Sequence, residues 1–370
     1  MPRMLNAQRS LVYKAPDHYA NQAIVALLQS GEVVVVFNEE RGLAHADNGF
    51  TSLIRSRDGG RTWDPASYQV VLPATELEGN WDPAITQLFD GTVLVNVCLT
   101  AYFQRGMAWE GPQYDAGAYL RYKGWTGTAI LKSADDGRTW SRPIPVNCRP
   151  MRHGGTRCPV LELPDGGLLL PVYGMKYADG LYASDDVTRA YLVRSDDGGD
   201  NWEYFATLAY DPAHITSFSE PALLRLRDGR LICTLRAHRA PAQRPDNIYL
   251  VVSEDDGHTW SQPRRLNLWG FPTHLIHLQD GRVLMTLGYR RGEFGVKCCV
   301  SEDGLTWDAA RVFTVHRGGQ GPSWERTWWH TGYPSSVQLA DGTILTVYHA
   351  FSADDPPVQY IESARWRLGD

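Results

Sequence analysis

Apolar residues in this chain fall into paired runs, each pair split by a short polar turn. The pairs read AIVALLQSGEVVVVF (23–37), PAITQLFDGTVLVNV (83–97), PVLELPDGGLLLPVY (159–173), PALLRLRDGRLICTL (221–235), PTHLIHLQDGRVLMTL (272–287) and PSSVQLADGTILTVY (334–348). Each combines an apolar run, a DG-type turn and a second run rich in Val, Ile and Leu, which is the pattern of a β-hairpin. The turn glycines Gly31, Gly91, Gly166, Gly229, Gly281 and Gly342 mark six repeats, and a fixed period of this kind signals a repeat architecture.

A second motif follows the first five hairpins. SRDGGRTW (56–63), SADDGRTW (133–140), SDDGGDNW (195–202), SEDDGHTW (253–260) and SEDGLTW (301–307) share the pattern SxDxGxTW, the last copy being one residue short. Each unit then supplies four strands, two from the hairpin, one running into the SxDxGxTW turn and one leaving it. The expected fold is an all-β, six-bladed β-propeller with four-stranded antiparallel blades and negligible helix. The whole chain, 1–370, reads as one propeller, with RSLVYKA near the N-terminus pairing with the last blade so that no sheet edge is left open. Residues 101–125 and 176–188 read as long insertions after second strands. Asp58, Asp135, Asp197, Asp255 and Asp303 suit turn amides, with Gly supplying a positive φ and Trp packing between strands. These acids read as structural, because an active site does not recur five times.

Composition narrows the class. Apolar residues make up 43% of the chain and aromatics 11%, as in a well-packed protein and unlike a disordered one. The net charge of -6 is spread along the chain without a basic run, so nucleic acid is not an expected partner. Cys98, Cys233, Cys298 and Cys299 lie in strand-like runs and read as buried thiols, and no CxxC pair suggests zinc. No metal or other cofactor is expected. The N-terminal MPRMLNAQRSLVYKAP lacks an apolar stretch of signal-peptide length, and no run long enough to span a membrane occurs. A cytoplasmic protein without a membrane partner is therefore expected.

Alternating strand directions place the residues that enter each hairpin and those that leave it on one face, opposite the SxDxGxTW turns. Trp81, Asp82, Arg157, Glu220, Phe271 and Tyr333 enter first strands there. Glu40, Arg41, Asp47, Arg105, Arg236, His238, Arg290, Arg291 and His349 follow second strands. Carboxylates, arginines and a tyrosine thus converge on the mouth of one ring, where propellers hold ligands.

With ERGLAHADNG after the first hairpin, SEPALLRLRDGRLICTLR in the fourth unit, GYRR in the fifth and GYPSSVQLADGTILTVY in the sixth, the chain resembles the sialidase (neuraminidase) superfamily of glycoside hydrolases over nearly its whole length. The SxDxGxTW repeat is that superfamily's Asp box, which specifies its fold but not its sugar. The resemblance implies Tyr333 as nucleophile, Glu220 as its base and Asp47 as acid and base. It also implies Arg236 and Arg290 as two of three arginines on the substrate carboxylate. The third normally opens the first blade in an RIP tripeptide, where this chain has ANQAI with Asn21 and Gln22. Arg157, in TRCP, resembles RIP locally but belongs to another blade and reads as an extra contact.

The chemistry of the implied constellation is coherent. A sugar with a carboxylate on its anomeric carbon repels an anionic nucleophile, so a tyrosine that loses its proton only as the bond forms suits it. Guanidinium groups grip a carboxylate bidentately, as lysine does not. Plainer readings exist beside this one. Arg236 and Arg290 could be strand-end ion-pair partners, Tyr333 and the indoles of Trp81, Trp328 and Trp329 could be packing, and His45, His238 and His349 could be surface polar groups. The convergence of Arg236, Arg290, Glu220 and Tyr333 on one face favours a site. The expectation is a retaining exo-glycosidase for a terminal, acidic sugar, its partner being a glycoside or oligosaccharide. Arg41, Arg157, Arg236, Arg290, Trp81, Asp82 and His349 are expected to bind that substrate. The alternatives are a non-catalytic carbohydrate-binding propeller and a lyase-like enzyme acting on uronate-containing glycans.

Overall fold

The computed structural model describes residues 3–40, 49–76, 78–104, 121–151, 154–176, 187–239, 244–318, 331–352 and 358–369. Six antiparallel sheets succeed one another around a ring, and one three-residue 3-10 turn, Ala309–Arg311, is the helical content of the described residues. The first blade orders its strands Tyr19–Leu27, Val33–Glu40, Phe50–Ser56 and Asp64–Leu72 from the centre outwards. The sixth runs Gly332–Gln338, Ile344–Phe351 and Gln359–Trp366, and its outer strand is Gln8–Tyr13, paired antiparallel with Gln359–Trp366. The fifth carries one addition to the four-stranded pattern, the two-residue strand Arg3–Met4 lying parallel to Val312–Arg317.

The second strands are apolar on both faces because each sheet is covered by a neighbour on either side, unlike a sheet with one wet face. Val33–Glu40 is buried at every position. The core accordingly divides into layers between blades. Val25, Val35 and Phe37 pack against Leu345 and Val347 of the sixth blade, while Val34, Val36 and Leu53 pack against Ile85, Val95 and Val97 of the second. Asp-box indoles extend these layers: Trp63 lies against the sixth blade and donates its ring N–H to Ser363 Oγ at 3.3 Å. Gly60 shows why glycine is required in that box. Its φ is +77°, and a Cβ there would lie 2.7 Å from a Leu345 methyl.

The Asp boxes form the expected turns. In the first, Asp58 Oδ1 accepts the amides of Arg61 at 3.0 Å and Thr62 at 2.9 Å, and Oδ2 accepts the Thr62 hydroxyl at 2.7 Å. The same set recurs at Asp135; at Asp197 the Asn201 side-chain amide takes the place of the hydroxyl, and Asp255 accepts the Thr259 amide and hydroxyl. Asp303, in the shortened copy, binds Leu305 and Thr306 instead. All six cysteines are buried free thiols.

Candidate active site

Four first strands break their ladder at the same place. Register shifts separate Asn21 from Ile24, Trp81 from Ala84, Ser219 from Ala222 and Gly332 from Ser335. Each leaves two residues facing one on the partner strand, which is a β-bulge. The first bulged residue has a positive φ in every case: Gln22 at 53°, Asp82 at 51°, Glu220 at 44° and Tyr333 at 53°. In three of the four the second is a proline, Pro83, Pro221 or Pro334, which has no ladder N–H to lose. Positive φ in non-glycine residues is a form of strain that clusters where side chains must be aimed. Here it turns one side chain per blade towards the axis.

Those side chains meet. The Tyr333 hydroxyl donates to Glu220 Oε1 at 3.1 Å, and Arg236 Nη1 donates to the same oxygen at 2.7 Å. The guanidinium carbons of Arg157 and Arg290 lie 4.7 and 5.6 Å from the centre of the Tyr333 ring. Phe271 gives Arg236 and Arg290 an apolar bed at 4.1 and 4.8 Å. His349 packs on Tyr333 with ring centres 5.3 Å apart, and its Nδ1 accepts the Gln22 amide N–H at 3.3 Å. Gln22 Oε1 in turn accepts the amide N–H of Asp82 at 3.3 Å. A cavity of about 130 Å³ adjoins this floor, lined in part by Arg157, Glu220, Pro272 and His274. A larger recess of about 790 Å³ lies among Asp-box residues such as Asp197 and Asp255 on the opposite rim. The carboxylates of those two are taken up by their own turns, whereas the smaller cavity is bordered by the buried Arg157 and Glu220.

Electrostatics follows the geometry. Burial would raise the Glu220 carboxyl, but Arg236, then Arg157 and Arg290, outweigh it and hold the group below the ordinary range. Burial, reinforced by Glu220, pushes the Tyr333 phenol well up, so the resting pair is phenol and carboxylate. Burial lowers Arg290 to about 10. His238 falls to about 3 through burial and the adjacent Arg236, and His274 to about 3 through burial and Arg157. Both imidazoles are therefore neutral near pH 7.

Of the residues singled out by sequence, Glu220, Tyr333, Arg236, Arg290, Arg157 and His349 come together. Trp81 and Asp82 are buried at the bulge of the second blade. Asp47 and Arg41 lie outside the described residues, as do His45, Arg105, Trp328 and Trp329. Gln22 was legible as a departure from RIP but not as a floor residue. The signal was present: Gln22, Asp82, Arg157, Glu220, Pro272 and Tyr333 each stand nine residues ahead of their blade's turn glycine. Among the described residues no cluster of three or more His, Cys, Asp or Glu is placed to hold a metal ion.

Comparison with known proteins gives the same architecture. A family model described as "BNR repeat-like domain" matches residues 117–346. A sialidase of Bacteroides fragilis (strain YCH46) is 27% identical over 224 residues, which is 59% of this chain and 38% of that protein, so the match spans well under half of the relative. Among solved structures, a protein of unknown function from Dyadobacter fermentans DSM 18053 superposes with a TM-score of 0.81 at 24% identity, covering 97% of this chain and 98% of the other. The intramolecular trans-sialidase of Ruminococcus gnavus superposes with a TM-score of 0.67 at 16% identity, covering 97% of both.

Proposed function

Taking as premise that the chain belongs to the BNR repeat-like domain family, a sialidase-like propeller family, we propose that it is a retaining exo-glycosidase for a terminal acidic sugar. The observation that carries this reading is the Tyr333–Glu220 hydrogen bond on a buried floor lined by Arg157, Arg236 and Arg290.

In the first step Tyr333 Oη attacks the anomeric carbon, and the phenolic proton passes to Glu220 Oε1, which already accepts it as a hydrogen bond. The glycosidic bond breaks, and the leaving oxygen takes a proton from Asp47. In the second step water attacks the glycosyl-tyrosine from the same side, Asp47 removes its proton, and Glu220 returns the phenolic proton to Tyr333. Two inversions give net retention. A neutral phenol approaches an anionic sugar without the repulsion a carboxylate nucleophile would meet. Arg236 keeps Glu220 ionised and oriented until the proton moves.

The test is a panel of aryl glycosides, comprising sialosides, uronides and neutral sugars, with the product anomer followed by NMR. A fluorinated analogue of the best substrate should leave a glycosyl adduct on the peptide carrying Tyr333, read by mass spectrometry. Absence of turnover and of adduct across the panel would return the chain to the non-catalytic, sugar-binding reading.

A further inference from the structure

The seam between the first and sixth blades runs beside Tyr333, and the mechanism above gives it no part. A β-bulge takes a residue out of the strand ladder, and a buried amide released in this way needs another partner. At the first-blade bulge the amide N–H of Gln22 finds His349 Nδ1 at 3.3 Å, a contact 327 positions apart in the chain. At the second-blade bulge the amide N–H of Asp82 finds Gln22 Oε1 at 3.3 Å. One residue therefore joins two bulges to each other and ties them to the sixth blade. An Nδ1 that accepts leaves the ring proton on Nε2, which fixes the tautomer of His349.

His349 was expected from the sequence to bind substrate, yet it is 1% exposed, as is Gln22. What it touches is Tyr333. It pairs directly across the strands with Gly332, the residue before Tyr333, where no side chain intervenes. The imidazole packs on the Tyr333 ring with centres 5.3 Å apart and planes at 30°. Two more hydrogen bonds close the same seam: Asn21 Nδ2 donates to Gln359 Oε1 at 3.2 Å, and the Val25 amide N–H donates to Ser335 Oγ at 3.2 Å. Within the first blade, Asn21 and Asn38 both donate to Oε1 of the buried Glu40, at 3.3 and 2.7 Å. Where the resemblance places a ligand-binding arginine, this chain has neutral amides engaged in joining blades.

We propose that Gln22 and His349 are positioning residues for Tyr333: the first-blade bulge anchors the imidazole, and the imidazole holds the phenol ring with its hydroxyl on Glu220. The task given to Tyr333 rests on the glycosidase reading, whereas the support given to its ring does not. That support is needed because Tyr333 sits at a positive φ of 53° and its strand loses register between Gly332 and Ser335, so the ladder does not fix the residue. A small rotation of the side chain would carry the hydroxyl away from Glu220 Oε1, now at 3.1 Å. Misplacing a reacting atom by about 1 Å can cost on the order of 100-fold in rate.

Two measurements on the full chain test this. In the first, a ring-fluorinated tyrosine replaces Tyr333 and its fluorine NMR signal is recorded without substrate. The parent should give one narrow resonance. His349→Asn keeps an acceptor near the Nδ1 position but removes the ring. Gln22→Gly suits the positive φ and removes the acceptor for the Asp82 amide. Each should broaden or split the resonance, and His349→Phe, with a ring but no acceptor, should do so less than His349→Asn. In the second, on the best substrate of the panel, His349→Asn should lower kcat about 10- to 100-fold and Gln22→Gly about 3- to 10-fold, with KM within about twofold of the parent. His349→Phe should recover part of the loss. Should His349→Asn fail to fold, as judged by its melting curve, Gln22→Gly and His349→Phe carry both readings. An unchanged fluorine resonance in the folded variants overturns the proposal. So does a raised KM at unaltered kcat, which would make His349 a ligand contact. If the unmodified chain hydrolyses nothing, the glycosidase reading falls, and the fluorine comparison still decides whether the seam holds Tyr333.

Discussion

At one rim of the propeller Asp255 sits in a solvated turn, its oxygens filled by Ser253 Oγ, the Thr259 amide and the Thr259 hydroxyl at 2.6 to 2.9 Å. At the other, Glu220 is buried, shares one oxygen between Arg236 and Tyr333, and leaves Oε2 unpartnered. Both carboxylates are held below their ordinary range, for different reasons: local hydrogen bonds at Asp255 and, against burial, neighbouring arginines at Glu220. The Asp-box rim repeats one solution five times. Along the mouth, six equivalent positions carry six different side chains, from Gln22 through Arg157 to Tyr333. Where the repeat keeps a residue it is holding a turn, and where the repeat lets a position vary the side chain is free to serve a ligand.

The sharpest test of this contrast is Tyr333→Phe, which removes one oxygen from the mouth and leaves packing intact. On the best substrate of the panel kcat/KM should fall at least about 1000-fold, as for other lost nucleophiles. The melting temperature should move little. A variant with most of its activity left would remove Tyr333 from the mechanism.

Glu220→Ala comes next, and its effect on stability separates the two rims. Truncation leaves Arg236 without its partner in a largely buried site, so unfolding in urea should show a loss of about 3 kcal/mol, at the low end for broken buried pairs because Arg236 retains some exposure. Restoring most of that stability with the additional change Arg236→Met would identify the stranded charge as the cause. If Glu220→Ala is no less stable than the parent, the pair contributes nothing to folding.

The fold was readable in the sequence because every structural device repeats. Six hairpin turns and five Asp boxes each announce a local geometry, and the layered core follows from second strands that are apolar on both faces. The site was readable only as far as motifs reached. GYPSS, SEPALL, CTLR and GYRR brought Tyr333, Glu220, Arg236 and Arg290 together. Arg157 read as an added contact, because its neighbourhood to Tyr333 exists only across the axis of a closed ring. The positive φ of Gln22 was equally hidden. In the other three bulged strands a proline follows the turned residue, whereas Ala23 follows Gln22 and gives no cue.

The smallest expected effect belongs to one Asp box. Asp255→Ala removes an acceptor for an amide and two hydroxyls, but the turn is exposed and water replaces much of what is lost, so the destabilisation near pH 7 should be about 1 kcal/mol. Its pH dependence is the more telling measurement. Thr259's hydroxyl and amide lower the folded Asp255 to about 2, while an unfolded Asp titrates near its ordinary value of about 3.9. The contribution of Asp255 is therefore complete above the unfolded value and is lost as pH falls through the folded one. The difference in stability between parent and variant should be constant from pH 7 to pH 5 and should narrow between pH 5 and pH 3, with activity at pH 7 unchanged in the folded fraction. A gap that stayed constant on acidification would mean that the Asp255 side chain stabilises its turn without using its charge, and the opposition between a charge-using turn and an arginine-held mouth would lose one of its two sides.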